Sequence, residues 1–191
     1  LSAILSCAGL RVLELHGFGL EPHQEAELYS RCPLLERVSL LRGGSWLTIL
    51  NADLPHLRLC DIASPIEPEA VPLLAAREEL EGVGATLASH DRVFPAQLLE
   101  ALSRLPRLSA LRILLKHVSS EEFDVSAGPT EISRPFGALE SLTIFAEGID
   151  GDLDTFLPRF SAPALSKLSV AGIWMRPAAL ARRFPALKEL T

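Results

Sequence analysis

Five histidines, His16, His23, His56, His90 and His117, are the residues most able to carry acid–base or metal chemistry, and they are scattered. No H-E-x-x-H occurs, and no pair has the spacing that aims two imidazoles at one ion. Each is expected to lie at the surface or at a strand edge. The cysteines are Cys7, Cys32 and Cys60, an odd number without a C-x-x-C. Neither a disulfide framework nor a zinc site is expected from that pattern. No G-x-S-x-G nucleophile elbow is present. Gly82-Val83-Gly84 lacks a Lys or Arg just after it, so it is not a phosphate loop. The chain is therefore expected to be no enzyme and to need no metal or cofactor.

The elements behind these residues repeat. The clearest copy is Pro106-Arg107-Leu108-Ser109-Ala110-Leu111-Arg112-Ile113, read as P-x-L-x-x-L-x-I. Leu111 and Ile113 alternate with exposed-type residues, as in a strand with one buried face. Pro106 ends a helix-like run from Pro95 to Leu105, because it lacks an N–H. Anchors equivalent to Leu108 stand at Leu10, Leu35, Leu57, Leu80, Leu139, Leu165 and Leu187. With Leu108 included, successive anchors are 25, 22, 23, 28, 31, 26 and 22 residues apart. Apolar residues recur three and five positions after the anchors, as in Leu13 and Leu15 or Leu142 and Ile144. The unit at Leu80 is the weakest, since Gly82, Gly84 and Ala85 favour strand poorly. Cys60 falls in a repeat slot and is expected in the core. Cys7 and Cys32 both precede an anchor by three residues, which leaves a disulfide between adjacent turns as the lesser alternative.

Between strands the period becomes helical. Val71, Leu74 and Ala75 fit it, as do Leu98, Leu102 and Leu105, and Leu153, Phe156, Leu157 and Phe160. Pro68 and Pro177 suit first helical turns, and Asp152 suits an N-cap. Residues 22–31 and 177–184 read as further short helices, and Trp46 to Asn51 as a single helical turn. Residues 119–135 are polar and read as a surface insertion, and Gly43-Gly44 as a tight connection.

One strand and one short helix cannot bury both apolar faces, but stacked copies can. The expected fold is α/β: a curved solenoid of about eight units over residues 1–191, with parallel strands on the concave side and helices outside. Alternation then points positions two, four and six after each anchor toward the concave face. Among those, Glu14, His16, Arg37, Asp61, Arg112, Leu114, Thr143, Phe145 and Lys167 are the candidate binding residues. The mixture suits a protein partner better than a reaction. Phe145 and Arg112 are the expected hot spots, because aromatic and arginine side chains anchor interfaces most often. The insertion is expected to supply a rim.

Composition narrows the classes of partner. The chain has 191 residues, 48% of them hydrophobic, enough for one sizeable core. A net charge of −6 gives no reason to expect nucleic acid or an anionic membrane surface. No apolar run approaches the roughly 20 residues of a bilayer span. The absence of a sequon and of a signal pattern points to a cytoplasmic or nuclear setting. Leu1 is not a start methionine and Thr191 falls inside a unit, so the chain reads as an excerpt of a longer protein.

The units resemble the leucine-rich repeat family over essentially the whole chain. They depart from it eight residues after each anchor, where the family often has Asn. That slot here holds Phe18, Gly43, Pro65, Ala88, Lys116, Glu147 and Ile173. Cys32-Pro33-Leu34-Leu35 and Phe184-Pro185-Ala186-Leu187 are similar to the irregular intracellular repeats of F-box proteins. That resemblance implies capture of a protein for ubiquitination, with a Skp-type adaptor docking on an F-box upstream. Two other readings stay open: a ligand-sensing or regulatory repeat domain of an immune receptor or GTPase regulator, and an enzyme whose active residues lie in flanking sequence.

Overall fold

The computed structural model describes residues 8–17, 19–87, 93–116, 131–147, 159–173 and 184–191. Among them, strands and short helices alternate over residues 12–116. The first half runs β1 (Val12–Leu15), α1 (Pro22–Arg31), β2 (Arg37–Leu40), α2 (Trp46–Asn51), β3 (Leu59–Pro65), α3 (Ala70–Ala75) and β4 (Gly82–Leu87). The second runs α4 (Val93–Leu102), β5 (Ala110–Lys116), β6 (Ser141–Glu147), β7 (Lys167–Ala171) and β8 (Glu189–Leu190). The strands form one parallel sheet in chain order, β1 to β8.

One register runs through all eight strands. Leu13, Val38, Cys60, Val83, Leu111, Leu142, Leu168 and Leu190 stand side by side. Below the strands, the residue after each anchor repeats one backbone device. The carbonyls of Arg11, Glu36, Arg58, Glu81, Ser109, Glu140 and Ser166 each accept two successive amides of the next unit, at 2.8–2.9 and 3.0 Å. This ladder sets the register before any side chain is considered.

The prolines work in turns rather than only as helix stops. Pro33, Pro55, Pro106, Pro163 and Pro185 each hold the second position of a four-residue turn. The anchor amide closes it: Leu35 to the Cys32 carbonyl at 3.3 Å, Leu57 to Leu54 at 3.2 Å, Leu165 to Ala162 at 3.1 Å. Proline presets the φ that this turn position needs. The unit at Leu80 makes the same turn without proline, Leu80 N–H to the Arg77 carbonyl at 3.1 Å.

The described helices pack beside one another in chain order, α1 on α2, α2 on α3 and α3 on α4, over one face of the sheet. There the strand residues Leu111 and Ile113 pack into one core with Leu28, Trp46, Ile49, Leu74, Leu98 and Leu102. Each such side chain contributes about 1.5–3 kcal/mol by leaving water. Polar groups tie the helix ends together. Ser45 caps α2 by accepting the Thr48 amide at 3.2 Å. Arg77 closes its other end, donating to the Leu50 and Ala52 carbonyls at 2.6 Å each. Toward the end of the array, Phe136, Phe160 and Phe184 form a row with ring centroids 5.3 and 5.7 Å apart.

Several expectations need correction. β4 is not weak: all six of its residues are buried, and it pairs with strands on both sides. Trp46 to Asn51 is a capped helix, not a lone turn. The helix before β5 ends at Leu102, short of Leu105. Pro68 lies in the turn before α3 rather than inside the helix. Phe160 lies outside any helix, next to a bridge between Glu131 and Arg159, so its helical spacing misled. Cys7, Phe18, Ala88, His90, His117, Asp152, Leu153, Phe156, Leu157 and Pro177 fall outside the described residues, as does most of the insertion.

Candidate binding face

The helix-free face of the sheet carries all the candidate residues. Positions two after the anchors align Arg37, Leu59, Gly82, Ala110, Ser141 and Lys167 in one row. Positions four after them align Glu14, Ser39, Asp61, Gly84, Arg112, Thr143 and Ser169 in the next. A third row places Leu114 beside Phe145, and Phe145 beside Ala171. His16 follows the end of β1.

Most charges on this face are paired within it. Glu14 lies 3.5 Å from Arg37 and 3.9 Å from His16 Nε2. Lys167 Nζ stands 3.4 Å from Glu189, both well exposed. Such pairs stabilise little, because water screens them and long side chains lose freedom.

Asp61 and Arg112 differ. They sit two strands apart, on β3 and β5, yet Arg112 Nη2 donates to Asp61 Oδ1. Each side chain is about one-third exposed, 31% for Arg112 and 33% for Asp61. Strands lie about 4.8 Å apart, so the two must reach over β4 to meet. They do so because Gly84 stands between them. A Cβ there would overlap the Asp61 carboxylate and crowd Arg112 Nε at 3.1 Å. Arg112 Nε is buried over that glycine and has no hydrogen-bond partner. In the neighbouring row, Leu59 folds over Gly82 in the same way.

The two glycines thus let neighbouring side chains lie low over the centre of the face, which forms a depression. The depression has a volume of about 270 Å³, walled by Leu59, Ala110, Asp61, Arg112, Ser141 and Thr143. Sequence reading treated Gly82 and Gly84 as a flaw in a strand. The signal that they are a clearance was present: Asp61, Gly84 and Arg112 share one register row.

Beyond the depression, Phe145 is 45% exposed, the largest exposed hydrophobic side chain among the described residues of the face. It does not pack as core. Of the insertion, Glu131 to Pro135 are described. They lie against α4 on the helix side, with Ser133 Oγ donating to Glu100 Oε1 at 2.7 Å and only Ile132 buried, so this part of the insertion does not form the expected rim of the strand face.

The opposite face holds the buried titratable groups. Glu25 on α1 accepts the Ser45 amide at 3.0 Å, and burial raises its carboxyl above the usual range. Tyr29 and Cys60 lie close by, and burial pushes both far up, so both stay protonated. Among the described residues, no three His, Cys, Asp or Glu side chains converge as metal ligands would. No helix among them is long and apolar enough to cross a membrane. Comparison of the sequence with protein-family models and with curated proteins finds no match.

Proposed function

We propose that the chain is a leucine-rich repeat horseshoe that binds a protein on its strand face, as the substrate-recognition repeats of an F-box-like ubiquitin ligase component. The observation that carries the reading is the common register of eight parallel strands in chain order, with the described helices packed beside one another. Helices are wider than strands, so such an array curves with its strands inward. That face is continuous, mixed in polarity and led by an exposed Phe145. It performs no chemistry. The partner is held, and a Skp-type adaptor docks elsewhere, on an F-box upstream of the repeats. The protein acts in the cytoplasm or nucleus.

The test uses the protein with its natural upstream sequence, expressed in cells. A Skp-type adaptor should co-purify through that upstream sequence. Proteins bound through the repeats should accumulate when the gene is deleted, and lose their ubiquitin chains. Bound proteins whose abundance and ubiquitination ignore the deletion would leave a binding module but remove the ligase role.

A further inference from the structure

The depression at the centre of the open face offers a partner shape rather than free donors. Leu59 and Ala110 give it apolar walls, and Arg112 lines it beside them. Arg112 lies over Gly84, with its Nε buried there and its Nη2 given to Asp61. The guanidinium is planar. It is held from beneath and along one edge, and the side chain keeps about a third of its surface exposed. Two carboxylates and two guanidiniums line the depression, Glu14 and Asp61 with Arg37 and Arg112. Glu14 is paired with Arg37 and Asp61 with Arg112. An added charge of either sign therefore meets a like charge as well as an opposite one.

We propose that the depression seats one uncharged aromatic side chain of the bound protein, its ring against Leu59 and Ala110 and stacked on the Arg112 guanidinium. This rests on the protein-binding reading above. The balance of charge selects a neutral occupant, since neither a carboxylate nor an ammonium gains by entering a lining whose charges already cancel. Size admits a ring: the volume is about 270 Å³, and a cavity of roughly 150 Å³ already takes up benzene. Arg112 then favours an aromatic ring over an aliphatic chain. An aliphatic chain would gain only the apolar contact with Leu59 and Ala110. A ring adds the attraction between its π face and the guanidinium, which acts through the flat side of Arg112 and leaves the bond to Asp61 in place.

The experiment selects random displayed peptides on the intact 191-residue chain and titrates those recovered. Each is expected to depend on one Phe, Tyr or Trp. Replacing that residue by cyclohexylalanine keeps its bulk and removes its π face, and should weaken binding roughly two- to fivefold. The double variant Asp61→Asn with Arg112→Gln removes the guanidinium without stranding a charge, and should bind the two peptides alike. Ala110→Phe fills the depression and should weaken both by about tenfold or more. Arg31→Gln, on α1 and away from the face, should change nothing. Peptides that need no aromatic residue would overturn the proposal and leave the protein-binding reading intact. So would an aromatic preference that survives in the double variant, or equal binding to Ala110→Phe. Sedimentation of the chain alone tests a rival occupant: a dimer that Ala110→Phe dissociates would give the depression to a second copy and overturn the proposal. Recovery of no binding peptide would overturn both readings.

Discussion

The two halves of the open face share a backbone and differ in how their side chains finish it. From β1 to β4, charges are met within the face: Glu14 by Arg37, and Asp61 by Arg112 from across a glycine. From β5 to β7, hydroxyls and an exposed phenylalanine look outward, while the lysine meets Glu189. The covered face shows no such divide. The repeat therefore constrains only what lies beneath the sheet. Above it, each half is free to satisfy itself or to stay available. A surface whose polar groups already answer one another has less to offer a partner than one whose donors are uncommitted.

The largest effect expected separates the two faces of adjacent strands. Ile113 is fully buried, and Ile113→Ala should cost about 2–5 kcal/mol of stability. Phe145→Ala should cost less than ~1 kcal/mol in stability and about 1–3 kcal/mol in partner binding. Urea unfolding and titration of the partner read the two quantities separately. If Phe145→Ala lowers stability as much as Ile113→Ala, the outward character of the second half is wrong.

A smaller effect probes the self-satisfied half. Gly84→Ala inserts a methyl where Asp61 meets Arg112 and should cost about 1–2 kcal/mol. In an Asp61→Ala background the same change should be almost free. Equal costs in the two backgrounds would show that the glycine serves the strand and not the ion pair.

The smallest effect is confined to a range of pH. Burial raises the Glu25 carboxyl, so the folded protein holds this proton more tightly than the unfolded chain. The contribution is complete below the ordinary carboxylate pKa and is lost as pH rises through the raised value. Stability measured across that window should fall with pH, and Glu25→Gln should flatten the fall. An unchanged slope in Glu25→Gln would assign the dependence to another group.

The anchors, the parallel order and the buried alternation were all legible, because a period of two inside a period of roughly 20–30 residues has few other readings. The prolines were seen, but their turn was not: spacing marks where a helix ends and says nothing of the bond that follows. β4 was undervalued because strand propensity describes side chains on a half-exposed surface. A strand paired on both sides and roofed by Leu59, Asp61 and Arg112 escapes that rule. The Asp61–Arg112 pair was hidden for a related reason. The shared row was in the sequence, but recognising the pair also required reading Gly84 as an empty place in that row, which strand propensity does not reveal. Phe160 misled because its spacing from nearby apolar residues does not reveal that its ring meets Phe136 and Phe184 from neighbouring units.

The carbonyl ladder has a mechanical consequence. Its bonds run from strand to strand, along the line that joins β1 to β8. Tension applied between the two ends of the array therefore pulls along those bonds and opens them one rung at a time, as in a zipper. Sliding the strands past one another would instead load many rungs together. The array should yield at low force in successive steps, each releasing one unit of 22–31 residues. At about 3.3–3.6 Å per residue that is roughly 70–110 Å of chain per step. Optical-tweezer traces pulled from the two termini would read those steps, and a single cooperative rupture of the whole sheet would contradict them. A recognition surface built this way surrenders its end units under load while the strands around Arg112 remain in place.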